Sequence, residues 1–246
     1  MPSVSFDRAA EYYDATRSLP PAVTESTISA LVTLLRGRRV LEFGAGTGRF
    51  SVPLQRAGVA LTPVDISRRM LQRGVAKEMR GAVQADAARL SFRDSSFEAA
   101  LSVHVLHLIS DWRQAVRELA RIVRGEYVAV LDNWDRFSLH RAYREAVEAT
   151  GYAYPHAEVR ERDLAKFLAP RRVAVGEHRE THRLDDTLAR LEARAYSSQW
   201  DVPEAIHERV MSELRARFAG QVEERVLHVE VFVWNIQALA AAVAAA

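Results

Sequence analysis

Arg39-Val-Leu-Glu-Phe43 is a short apolar run that passes directly into Gly44-Ala-Gly-Thr-Gly48, and Arg49 to Arg56 then reads as a helix stopped by Gly58. A strand that turns at once into a helix needs residues without a Cβ, both for the tight turn and for close approach of a ligand to the backbone. The alternation continues down the chain. Ala60 to Asp65 reads as a strand, and Ser67 caps a helix to Lys77. Ala82 to Gln84 is a brief strand ending at Asp86, and Ala99 to Val103 is another. Asp111 caps a helix from Trp112 to Val123, and Glu126 to Asp132 is a fifth strand, apolar enough to be central. Strands and helices in strict alternation build βαβ units on a mostly parallel sheet.

The second half is less regular. Phe137 to Thr150, Leu184 to Ala195 and Pro203 to Phe218 read as helices, and Arg172 to Thr181 and Arg225 to Asn235 as strands. Seven strands result, so the predicted fold is α/β, a Rossmann-like, doubly wound, mostly parallel seven-stranded sheet with helices on both faces and a helical lid. We read 1–246 as a single domain: an N-terminal helical cap over 1–37, a core over 38–135, helices and lid over 136–224, and a last strand with an Ala-rich tail over 225–246. That tail reads as low-complexity, a fraying helix.

Composition narrows the chemistry. The 246 residues carry 34 Lys and Arg against 32 Asp and Glu, so nothing in the net charge of +2 calls for nucleic acid. Cysteine is absent, which removes disulfides, thiolate zinc sites and thiol nucleophiles. No metal site is expected. The start MPSVSFDRAAEYY lacks the pattern of a signal peptide and no run is apolar enough for a membrane span, so a cytoplasmic protein without membrane contact is expected.

The glycine turn admits two cofactor classes. A dinucleotide site wants G-x-G-x-x-G, but the third-glycine position holds Arg49, and Glu42 precedes the turn. An acid there repels a pyrophosphate and suits a ligand bearing an amine. Asp65 ends the second strand, where a carboxylate can accept both hydroxyls of a ribose, and Asp86 ends the third, within reach of an adenine amino group. Either acid alone is an ordinary cap or loop residue; acids on three successive strands make a stronger pattern.

At this point the chain resembles the class I S-adenosylmethionine-dependent methyltransferases, in particular a small-molecule branch of the ubiquinone/menaquinone-biosynthesis type. The stretches that carry the resemblance are FDRAAEYYDATRSLP, VLEFGAGTGRFSVPL, PVDISRRML, ADAARLSFRDSSFEAALSVHVLHLISDW and AVRELARIVR, from about Phe6 to Leu131. It implies S-adenosyl-L-methionine as cofactor. Gly44, Ala45 and Gly46 would line its methionine part, with Glu42 near the amino group, and Phe43 would be a further cofactor contact. Asp65 would hold the ribose, Ile66 and Met70 would sandwich the adenine, and Asp86 and Ala87 would read its edge. His104 would face the methionine portion, and Tyr12 and Arg17 would close over it. Where the family carries a Pro-Gly-Gly turn before the fifth strand, this chain has Arg124-Gly125-Glu126. The fourth strand ends in Ser102-Val-His-Val105, without the Asn/Asp-Pro-Pro-aromatic signature of base or glutamine methylation.

The reading that follows is in-line methyl transfer to O or C of a small molecule, by a monomer or homodimer. The alternatives are an NAD-dependent oxidoreductase and a non-catalytic S-adenosylmethionine-binding protein. A base helps when the acceptor is a hydroxyl or an acidic carbon, and His107 is the candidate, with a packing role as the alternative. Trp134 and Tyr196 are candidate substrate contacts. The lid arginines alternate with Glu158, Glu161, Glu177, Glu180 and Glu192, the pattern of a solvated helix face.

Overall fold

A computed structural model describes residues 3, 5–14, 19–134, 139–154 and 159–246, with the main chain alone at 134. Two compact units emerge. One comprises Met1–Asp132, Glu158–Gly176 and Val229–Ala246, and the other Asn133–Ala157 and Glu177–His228. The single domain with a lid at 136–224 expected from the sequence is thus drawn differently: Glu158–Gly176 goes with the first unit.

The sheet has seven strands in the order β3-β2-β1-β4-β5-β7-β6. They are β1 (Arg39–Phe43), β2 (Ala60–Asp65), β3 (Val83–Gln84), β4 (Phe97–Val103), β5 (Val123–Trp134), β6 (Arg171–Arg183) and β7 (Val222–Asn235). β1 pairs in parallel with β2 and β4, β2 with β3, and β4 with β5. Five parallel strands therefore present their carboxyl ends along one edge, where ligands bind in open α/β sheets. Tyr127, Val128, Ala129 and Val130 of β5 are all buried, as its apolar run requires of an interior strand.

Helices of the first unit among the described residues include α1 (Pro21–Leu35), α2 (Ser51–Arg56), α3 (Arg68–Ala76), α4 (Trp112–Ile122) and, after β7, α8 (Ile236–Ala244). The caps read from the sequence are present: Ser67 Oγ accepts from Met70 N at 3.1 Å, and Asp111 Oδ1 from Gln114 N at 2.9 Å. α4 buries Ala115, Val116, Leu119 and Ile122, one helical stripe. The Ala-rich tail is not a fraying end. Asn235 caps α8 by accepting from Ala238 N, Ile236, Leu239 and Val243 are buried, and Arg113 Nη1 donates to Val243 O at 2.6 Å.

The second unit holds α5 (Leu139–Glu148), α6 (Leu184–Glu192) and α7 (Glu204–Phe218) around a core that includes Tyr143, Leu188, Leu191 and Leu214. Tyr143 Oη and His207 Nδ1 lie 2.7 Å apart inside it, a hydrogen-bonded buried polar pair.

The departure at Arg124-Gly125-Glu126 has a structural reason. α4 passes into β5 without an intervening turn. The β4–β5 register then steps from Phe97↔Val123 to Ala99↔Glu126, leaving one extra residue on β5. At this bulge the backbones come so close that a Cβ on Gly125 would lie 2.3 Å from Glu98 O. Gly125→Ala should therefore destabilise the fold by about 1–3 kcal/mol, measured as a lowered urea midpoint with an unchanged m-value.

Candidate active site

The glycine turn sits where β1 gives way to α2. Gly44 and Gly46 hold φ of 69° and 56°, in the left-handed region. A Cβ on Gly44 would also meet Val105 Cγ2 at 2.3 Å, so the end of β1 lies directly against the loop after β4. Asp65, at the end of β2, ties the turn to its neighbour: Gly46 N donates to Oδ2 and Ser67 N to Oδ1, each at 2.8 Å. Burial raises the Asp65 pKa against these two backbone donors, and the nearby Asp7 adds to the rise.

A cleft of about 630 Å³, open mouth included, runs along the carboxyl ends of these strands. Of the residues singled out in the sequence, Phe43, Gly44, Gly46, Asp65, Ile66, Met70, Asp86, Ala87 and His104 line it. Gly46 keeps its floor open, since a Cβ there would press on Met70 Cε at 3.3 Å. Asp86 Oδ1 also accepts from Ala88 N at 2.9 Å, which shapes the turn beneath the cleft.

Five of the expected site residues lie off that lining. Tyr13, rather than Tyr12, reaches the cleft, edge-to-face with Phe6 at 5.7 Å between ring centroids. Ala45 turns into a small apolar cluster with Val52, Leu71 and Met79. His107 belongs to the 3-10 turn Leu106–Leu108, and its neighbours Leu108 and Ile109 line the cleft in its place. Glu42 is 3% exposed and accepts from Ser51 Oγ; burial and the charge of Asp65 push its carboxyl up to about 8. It is therefore largely a neutral acid at pH 7, not the anion expected beside an ammonium. Tyr196 lies in the second unit, its ring 4.7 Å from that of His140. Arg17 and the side chain of Trp134 lie outside the described residues.

The structure adds groups that the sequence reading passed over. Asp7 Oδ1 accepts from Ser67 Oγ at 2.5 Å and from Arg69 N at 3.1 Å, and Asp14 Oδ1 accepts from Thr47 Oγ1 at 2.6 Å. Lys77 Nζ lies 2.5 Å from Asp14 Oδ2. These contacts fasten the N-terminal segment onto the glycine turn and the start of α3. At the ends of β4 and β5, His104 Nε2 lies 3.0 Å from Asp132 Oδ1. Glu161, placed by its sequence on a solvated face, is 1% exposed: its Oε1 accepts from Val105 N at 2.8 Å and from Leu106 N at 3.0 Å.

Residues 41–130 match the family described as a methyltransferase domain. Over 107 residues the chain is 37% identical to the phosphatidylethanolamine N-methyltransferase of Cereibacter sphaeroides, covering 39% of this chain and 51% of that one. It is 32% identical over 124 residues to the demethylmenaquinone methyltransferase of Streptomyces avermitilis, covering 48% and 54%. The chain thus spans about half the length of these curated relatives. A solved structure of a proposed antibiotic-biosynthesis methyltransferase from Anabaena variabilis superposes with a TM-score of 0.57 at 20% identity, over 82% of this chain and 95% of that one, and supports the fold.

Two measurements test this geometry. Asp65→Ala should weaken S-adenosylhomocysteine binding by about 1–3 kcal/mol in calorimetry, and an unchanged affinity would remove Asp65 from the ligand contacts. Between the ordinary carboxyl value of 4.5 and about 8, folded Glu42 holds a proton that the unfolded chain releases. Its contribution to stability is therefore fully present below 4.5 and is lost as pH rises, by up to roughly 1.4 kcal/mol per unit, until about 8. Glu42→Gln should flatten that limb of the stability–pH curve in denaturant titrations.

Proposed function

We propose that this chain, which carries a methyltransferase domain of the S-adenosylmethionine-dependent class in residues 41–130, transfers a methyl group to O or C of a small molecule. The observation that carries the proposal is the convergence, in one cleft, of the glycine turn after β1 and of Asp65 and Asp86 at the ends of β2 and β3. The residues suit the cofactor. The main chain at Gly44 and Gly46 leaves room for its methionine part, Asp65 offers acceptors to a ribose, and Ile66 and Met70 offer apolar faces to a purine, with Asp86 at its amino edge.

The bound cofactor supplies a methyl group on a positively charged sulfur, open to in-line displacement. The chain's task is then to align the acceptor, exclude water and receive any proton the acceptor gives up. The names of the curated relatives point to unlike acceptors, an ethanolamine nitrogen in one and demethylmenaquinone in the other. The choice of O or C here rests instead on the end of β4, Ser102-Val-His-Val105, which lacks the signature of base or glutamine N-methylation.

The test is calorimetric titration with S-adenosylmethionine, S-adenosylhomocysteine and NAD. Micromolar binding of both adenosyl compounds and none of NAD is expected. Binding of NAD alone would overturn the assignment.

A further inference from the structure

His104 directly follows β4 and Asp132 lies two residues before the end of the adjacent strand β5, and His104 lines the cleft beside Gly44 whereas Asp132 does not. The 3.0 Å contact engages Nε2, which leaves Nδ1 as the ring nitrogen open to a bound molecule. The pose is held against a backbone cost. His104 has φ of 56°, in the left-handed region that residues other than glycine uncommonly adopt. Glu161 fixes the segment that follows, because the next two peptide N–H groups both donate to its Oε1, and Ser102 Oγ lies 3.2 Å from the same atom.

The charged groups that bear on the ring are Asp132 from β5, Glu161 from the 3-10 turn Glu161–Lys166, and Arg49 from the glycine turn; Arg162 acts on Asp132. Burial works to lower the imidazole pKa and Arg49 adds to it. The charge and hydrogen bond of Asp132, with the charge of Glu161, prevail and raise it. Burial works to raise Asp132, yet His104, Arg49 and Arg162 hold it below the ordinary carboxylate range. A proton taken up by this pair therefore resides on the imidazole. That division of labour, a histidine that titrates and a carboxylate that orients it, is the one general-base catalysis requires.

We infer that His104 is the general base of the methyl transfer, with Asp132 and Glu161 as its positioning residues, and that the acceptor is therefore a hydroxyl compound or a carbon acid that must lose a proton. The inference rests on the methyltransferase reading. As the O–H or C–H proton passes to Nδ1, the electron pair it leaves forms the bond to the methyl carbon, and the methyl–sulfur pair stays on sulfur. The imidazolium, paired with Asp132, then returns the proton to water.

Two arms test this on the full chain. In 15N-histidine NMR of protein saturated with S-adenosylhomocysteine, neutral His104 should carry its proton on Nε2 and titrate above 6.5; the titration should move down in Asp132→Asn. With tritiated S-adenosylmethionine and a panel of phenol, acetylacetone and benzylamine, transfer should favour the first two and rise with pH to a plateau at the His104 pKa. His104→Asn, which suits the left-handed backbone, should lose about 100-fold or more in that transfer when it is measured at saturating S-adenosylmethionine. Glu161→Gln should lower the rate while binding stays close to the parent's. A proton on Nδ1 in the neutral ring, or phenol and acetylacetone methylated equally well by His104→Asn, would each overturn the base. Failure of the parent chain to bind S-adenosylhomocysteine would instead remove the methyltransferase reading beneath it.

Discussion

The Asp65 carboxylate organises the ligand-binding edge. Its two oxygens take the N–H groups of Gly46 and Ser67, so one side chain at the end of β2 fixes both the glycine turn after β1 and the start of α3. Ser67 in turn caps α3, which sets Met70 against the cleft, and Asp7 and Asp14 fasten onto Ser67 and Thr47. Removing the acceptor from such a junction takes the partner from two peptide donors at once. The conformations of the turn, the helix start and the N-terminal segment are therefore coupled through one group.

Acids occupy three different electrostatic states within this region. Glu42, with Ser51 Oγ as its donor and Asp65 nearby, keeps its proton to about pH 8. Asp132, facing His104, Arg49 and Arg162, is held ionised despite burial. Asp65 lies between, raised by burial and restrained by two backbone donors. Depth and neighbours act together here: Glu42 is buried whereas Asp65 and Asp132 are half-buried, and the cations and donors around the latter two hold them lower.

The parallel half of the sheet was legible because its signals are local: apolar runs, a glycine turn, and caps at Ser67 and Asp111. Most of the cleft followed, since acids at strand ends sit where an open parallel sheet binds ligands. The same rule applied to β5 points to Asp132, the acid that ends its apolar run, and the reading stopped one strand short. Tyr12 and Tyr13 are adjacent, and which of them turns inward depends on how the N-terminal turn is anchored through Asp7 and Asp14. Glu161 was misplaced for a different reason. Charge alternation marks solvent only where a helix face is free, and here a short 3-10 turn carries the acid to two buried peptide N–H groups. No spacing pattern encodes a contact between residues 105 and 161.

The alanine-rich segment after Asn235 divides its positions sharply. Ile236, Leu239 and Val243 are buried, whereas Gln237, Ala238, Ala241 and Ala244 are exposed. The exposed alanines face solvent, so helix propensity and solvation constrain them more than packing does. Lysine or glutamate could take their places with the helix and its packing intact. Compositional simplicity here conceals a segment free to diverge at most of its surface while three apolar anchors stay put.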